Sequence, residues 1–157
     1  MFKHILVTLD GSELSEKALP TAYQLLAPQG TLTLLNVVDV PDAPLTMLYD
    51  APIVPTQTNR QELIAMAQQD AYSYLRHVVE GFHLPSNITV NYEVCLGEAA
   101  STIAERAQAL HVDALVMSTH GRSGLSRWLL GSVTQRVLSL MPCPVLVIPG
   151  QVSVPAQ

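Results

Sequence analysis

The stretch Asp113-Ala114-Leu115-Val116-Met117-Ser118-Thr119-His120-Gly121-Arg122-Ser123-Gly124-Leu125-Ser126-Arg127-Trp128-Leu129-Leu130-Gly131-Ser132-Val133-Thr134 decides the architecture. Ala114–Ser118 is a short apolar run, the pattern of a strand buried on both faces and therefore central in its sheet. A glycine-bearing loop, 119–130, follows. Beyond it Val133, Val137, Leu140 and Met141 recur at helical spacing. Toward the C-terminus, Val145–Ile148 lies between Pro144 and Pro149 and reads as a fifth strand. Toward the N-terminus, Ala100, Ile103, Ala104, Ala107 and Leu110 mark a helix. Before that helix, Ile88–Cys95 alternates: Ile88, Val90, Tyr92 and Val94 point one way, and Thr89, Asn91, Glu93 and Cys95 the other. Such alternation leaves one face wetter and suits a sheet edge.

The first half of the chain repeats the scheme. His4–Leu9 and Thr31–Val38 read as strands. Between them Leu14, Ala18, Ala22, Leu25 and Leu26 share a helical face, and Gly30 is expected to end that helix as a left-handed cap. Val40–Asn59 is irregular and holds Pro41, Pro44, Pro52 and Pro55. A connection of that length is unusual in a compact domain and reads as a lid or a contact segment. Thr58-Asn59-Arg60-Gln61 fits a capping box opening a long helix with Leu63, Ala67, Ala71, Tyr74, Leu75 and Val78 on one face. The order βαβ, loop, αβαβαβ requires right-handed crossovers. That predicts an α/β fold, a parallel sheet with helices on both faces. We expect a single domain over 1–150 and a loose tail at 151–157.

The chain has 157 residues, of which 48% are hydrophobic and 13% charged. That length buries a core without a staple, and the low charged fraction argues against disorder. No apolar run approaches the roughly 18 residues that span a bilayer, so the expected setting is cytoplasmic, with no membrane partner. Cys95 and Cys143 are the two cysteines, too few for a disulfide framework and not spaced as metal ligands. All 13 acidic residues lie at or before Asp113. The segment from Ala114 onward carries only Arg122, Arg127 and Arg136 as formal charges. A net charge of −5 disfavours nucleic acid, whereas an acid-free, arginine-bearing segment suits a small anion.

In open parallel sheets ligands bind beyond the carboxyl ends of the strands. Two polar clusters sit at such ends: Thr8-Leu9-Asp10-Gly11-Ser12 and Ser118-Thr119-His120-Gly121. Small residues let backbone N–H groups approach phosphate oxygens, and Gly131-Ser132 opens a helix whose free N–H groups point the same way. Neither G-x-x-x-x-G-K-[ST] nor G-x-G-x-x-G is present, and Lys17 is the last lysine, so a P-loop NTPase of the usual kind is excluded. Ser132-Val133-Thr134-Gln135 also fits a plain capping box that needs no ligand. Asp10 suits a vicinal diol but equally suits a cap for the helix that starts near Ser12. Arg122 and Arg127 could screen phosphate or simply be solvated. His120 has no carboxylate placed to orient it as a base, and Trp128 reads as packing.

The segment resembles the nucleotide-binding signature of the universal stress protein family, G-x2-G-x9-G-[ST]. Gly121, Gly131 and Ser132 match it, and Ser118 stands where the first glycine belongs. The resemblance extends over Ile5–Ser12, Gly97-Glu98, Asp113–Met117 and Cys143–Ile148. It implies an open five-stranded, Rossmann-like sheet of order 3-2-1-4-5, which puts Cys95 and Cys143 on opposite edges. It also implies adenine nucleotide, ATP or else ADP or AMP, at the ends of strands 1 and 4. Asp10 would then bind the ribose hydroxyls. Thr8, Leu9 and the backbone of Val38 would line the adenine. Met117, Ser118 and Gly121 would run along the ribose and α-phosphate, with His120 and Arg122 in the same loop. Gly131, Ser132, Val133 and Thr134 would take the phosphates, together with a divalent ion such as Mg²⁺.

Three functions follow. The first is an ATP-binding, stress-response regulator with little or no turnover, acting on a protein partner the sequence does not name. The second is a slow ATPase or nucleotidyl transferase. The third is a nucleotide-free dimeric module, kept open by Ser118. The last strand, 145–148, would be left bare at a sheet edge, which suits a homodimer through that edge.

Overall fold

Residues 1–39, 57–82, 84–119, 130–141 and 143–149 are described by the computed structural model. The elements are β1 (Phe2–Thr8), α1 (Glu13–Glu16), α2 (Ala18–Leu25), β2 (Leu26–Val38), α3 (Gln57–Phe82), β3 (Thr89–Leu96), α4 (Ala99–Ala109), β4 (Ala114–Ser118), α5 (Ser132–Leu140) and β5 (Val145–Ile148). The sheet is five-stranded, in the order β3-β2-β1-β4-β5, and every pair is parallel. The expected α/β architecture and strand order are therefore those observed.

Period-two alternation divides the core between the two faces of the sheet. Ile5, Val7, Leu32, Leu34 and Val116 meet Ala18, Leu19 and Ala22 of α2 and Leu75 of α3. Leu6, Leu35, Leu115 and Met117 meet Ala100, Ile103 and Ala107 of α4 and Val137 of α5. Arg106 of α4 adds two 2.8 Å bonds to the Glu93 carboxylate on β3.

At the amino ends of the strands Asp113 clasps β1. Its carboxylate accepts the backbone N–H groups of Lys3 and His4 at 2.7 and 2.9 Å, and its own N–H donates to the His4 carbonyl at 2.9 Å. The clasp fixes Ile5 opposite Ala114 and Val7 opposite Val116. At the far end, Thr8 and Ser118 consequently run out side by side.

Three local expectations are corrected. The helix expected between 14 and 26 is split at Lys17. Pro20 has no N–H to give the Glu16 carbonyl one turn back, so the first turn cannot run on into α2. Gly30 is not a left-handed cap: α2 ends at Leu25, Leu26 is already extended, and the positive φ falls on Gln29 at 63°. Gly30 is small because a Cβ there would meet the Ala27 carbonyl oxygen at 2.8 Å. The long helix begins at Gln57, one residue before the expected cap Thr58. The strands expected over His4–Leu9 and Ile88–Cys95 each begin or end a residue or two away, while Ala114–Ser118 and Val145–Ile148 stand as read.

Candidate functional site

β1 and β4 are neighbours whose following segments leave on opposite faces of the sheet, β1 toward α1 and α2, β4 toward α5. A crevice must open where they part. There a cleft of about 310 Å³ is lined by Thr8, Leu9 and Asp10 from the end of β1, Met117, Ser118 and Thr119 from the end of β4, and Gly131, Ser132, Val133 and Thr134 from the start of α5. Nine of the residues expected from sequence thus meet in one place. Val38 is not among the lining residues. Its carbonyl accepts the Gly97 N–H at 3.2 Å, and the cleft is reached instead by Val37. By strand alternation the side chains of Leu35, Val37 and Met117 point to the α4–α5 face and that of Val38 to the other, which bears on its side chain and not on its backbone. His120, Gly121 and Arg122 lie outside the described residues, as do Arg127, Trp128, most of the 40–59 segment and the tail at 151–157.

The β1 end is a tight turn. Gly11 takes φ 87°, which glycine alone adopts without strain. Asp10 Oδ1 accepts the Ser12 N–H at 3.0 Å and the Ser12 hydroxyl at 2.6 Å. Ser12, not Asp10, caps α1, accepting the Ser15 N–H at 3.1 Å. Ser15 is 2% exposed. Its hydroxyl donates to the Ser12 carbonyl at 2.8 Å and accepts the Asp10 N–H at 3.3 Å. Behind this turn Tyr74 of α3 donates to Glu16 Oε1 at 3.1 Å, and burial pushes its phenol up to about 12.

The α5 end is built differently. Its N-cap is Gly131, with no side-chain cap bond, so the capping box expected on Ser132 does not form. The Gly131 N–H donates to the Thr119 carbonyl at 3.0 Å, and the first helical bond runs from the Gln135 N–H to the Gly131 carbonyl. The N–H groups of Ser132, Val133 and Thr134 therefore have no acceptor within the helix. Thr134, 2% exposed, turns its hydroxyl to the Ser118 carbonyl at 3.3 Å, tying α5 to β4.

The neighbouring helix start is closed. At α4 the Glu98 carboxylate accepts the N–H groups of Ser101 and Ala100 at 2.9 and 3.2 Å and the Ser101 hydroxyl at 2.8 Å. These bonds, that from the Ser101 N–H first, hold the Glu98 carboxyl below the usual range. Of the α4 and α5 N-termini beside the crevice, the first is filled by its own carboxylate and the second, in an acid-free stretch, is not.

Between the two ends lies an apolar wall of Leu35, Val37, Ala99 and Ile103. Sequence reading missed it, along with Ser15, and placed Thr119 in the strand-end cluster without a role. Strand parity identifies Leu35 and Val37, and the i, i+4 spacing after Gly97-Glu98 identifies Ala99 and Ile103. Asp10 is the one carboxylate among the described lining residues. No group of three His, Cys, Asp or Glu suited to a metal occurs among the described residues. Cys95 and Cys143 are free. They sit beside the two opposite edge strands, about four strand spacings or ~19 Å apart, beyond the ~7 Å reach of a disulfide.

The Universal stress protein family matches residues 1–149. The chain belongs to that family. Universal stress protein MJ0531 of Methanocaldococcus jannaschii is 31% identical over 149 residues, covering 94% of this chain and 82% of that protein. Among solved structures, hypothetical protein MJ0577 superposes with a TM-score of 0.78 at 27% identity, covering 98% of this universal stress protein and 99% of that chain. Two more distant structures share the fold. One is a universal stress protein in complex with cAMP, with TM-score 0.59, 21% identity and coverage of 96% and 98%. The other is Arabidopsis thaliana At3g01520 with AMP bound, with TM-score 0.62, 15% identity and coverage of 95% and 92%. Among the described residues of this universal stress protein, no helix is long and apolar enough to cross a membrane.

Proposed function

We propose that this universal stress protein is a regulator that binds adenine nucleotide, ATP first, in the cleft between β1 and β4, with little or no turnover. The observation that carries the reading is the contrast between the two helix starts. Glu98 fills that of α4, whereas α5 has a bare glycine cap across the cleft from Asp10, the one carboxylate among the described lining residues. Three N–H groups at a helix N-terminus suit phosphate oxygens, and a short carboxylate suits a ribose diol. The apolar wall of Leu35, Val37 and Ile103 suits a flat base. AMP and cAMP in proteins of the same fold support the ligand class.

On this reading Asp10 takes the ribose, and Thr8 and Leu9 flank the base. Met117 and Ser118 run beside the sugar. Gly131, Ser132, Val133 and Thr134 hold the phosphates. His120, Gly121 and Arg122 stay on this reading as contacts expected from the family signature. One carboxylate is too few to hold Mg²⁺ by itself, so the ion would be carried on phosphate oxygens and water. Asp10 Oδ1 is engaged by Ser12 and is not poised to activate water, which supports slow turnover over an ATPase or transferase.

The domain would span 1–150, work in the cytoplasm and pair with a second copy through β5, which is bonded on one side to β4. Denaturing the purified protein and chromatographing the supernatant tests the site. The expected result is stoichiometric adenine nucleotide, or saturable ATP binding once the cleft is emptied. A cleft that ignores added ATP would leave the nucleotide-free module in its place.

A further inference from the structure

We propose that Asn36 is a positioning residue that aims the Asp10 carboxylate and so sets how strongly the cleft selects a ligand with a vicinal diol. The inference rests on the nucleotide reading above. The paired register of β1 and β2 ends at Thr8 opposite Leu35. One residue on, the Leu9 N–H still donates to the Leu35 carbonyl at 2.9 Å, but the Leu9 carbonyl accepts from the side chain of Asn36, Nδ2, at 2.8 Å.

Asn36 continues the row of Leu32 and Leu34 and is 8% exposed. A buried amide at the end of an apolar row is costly unless bonded, so the Leu9 carbonyl is what accommodates it. Asn36 is not among the residues lining the cleft and acts through its partner.

What it holds is one rigid unit. The Leu9 carbonyl and the Asp10 N–H belong to the same planar peptide group. Asn36 grips its oxygen at 2.8 Å, and Ser15 Oγ meets its N–H at 3.3 Å. With both ends of that plane fixed, the Asp10 Cα is held in place, and from there the Ser12 N–H and hydroxyl on Oδ1 set the direction of the carboxylate before a ligand arrives.

The experiment compares ATP with 2′-deoxy-ATP by calorimetric titration of the full chain. The native protein should prefer ATP by about tenfold or more, the size of one hydrogen bond to a charged acceptor, and Asp10→Ala should erase the preference. Asn36→Leu, its folding checked by thermal melting, should cut the preference below about threefold and cause no further loss in the Asp10→Ala background. A purely structural role would weaken both nucleotides alike and leave the ratio at its native value, which would overturn the inference. Should Asn36→Leu not fold, Asn36→Ser, too short to reach the Leu9 carbonyl, reports the same ratio. Native protein that binds neither nucleotide defeats the nucleotide reading itself, and the inference with it. Native preference with an unchanged ratio in the variants defeats the inference alone.

Discussion

The Gly131 N–H donates to the Thr119 carbonyl at 3.0 Å, and a Cβ on Gly131 would stand 2.9 Å from that same oxygen. The glycine is required by this approach and not by its dihedral angles, since its φ is −57°. The end of β4 and the start of α5 are therefore held at a separation that no other residue allows.

Gly131→Val should push α5 from β4 and misalign the three N–H groups at its start. Nucleotide affinity should fall at least about tenfold, with a stability cost of about 1–3 kcal/mol from overpacking. Titration calorimetry and a thermal melt read the two effects separately. Native-like affinity would remove the helix start from the site.

The β5 edge gives a second prediction. The carbonyls of Pro144 and Ile148 accept from Leu115 of β4 and from Thr119 just beyond it, so by strand alternation the N–H groups of Val145 and Val147 face away from the sheet. Val147→Pro removes an outward donor and spares the β4 ladder, as proline is tolerated at sheet edges. Light scattering should find the native chain a dimer and the variant a folded monomer.

Asp113 makes stability fall in acid. The N–H groups of His4, then Lys3, hold its carboxyl below the ordinary range. A depressed native value contributes stability above the unfolded value near 3.9, lost as pH drops through the native one. Melting temperature should decline below about pH 4, and Asp113→Asn should melt lower at neutral pH with a flatter acid limb.

Tyr74 acts at the other extreme. Burial raises its phenol from 10.0 to about 12. The neutral form is favoured in the folded state, so its contribution is intact below about pH 10 and lost as pH rises toward 12. Tyr74→Phe should lose less stability than the native chain across that window, as followed by alkaline unfolding monitored by circular dichroism.

The alternation of strands and helices was legible in the sequence because apolar runs and helical faces are local signals, whereas the sheet order and the nine expected residues that line the cleft came from the family resemblance. Three features came from neither. The break at Lys17 depended on where Pro20 fell relative to the start of the first turn. The presence of Val37 in the cleft lining turned on the parity of β2, which one residue reverses. Asn36 reads as an unremarkable polar residue near a strand end, and only the tertiary position of the Leu9 carbonyl gives it a task. The capping box on Ser132 misled because Gly131 could take the cap position first.

The Glu98 carboxylate that seals the start of α4 has a consequence for any occupant of the crevice. With one helix terminus stoppered and the other bare, the groove has a heads and a tails. A molecule with a single anionic end and a flat greasy end has one way to lie in it. A molecule charged at both ends would leave its second charge against the apolar wall of Leu35, Val37 and Ile103, so the groove sorts ligands by asymmetry before it sorts them by chemical identity.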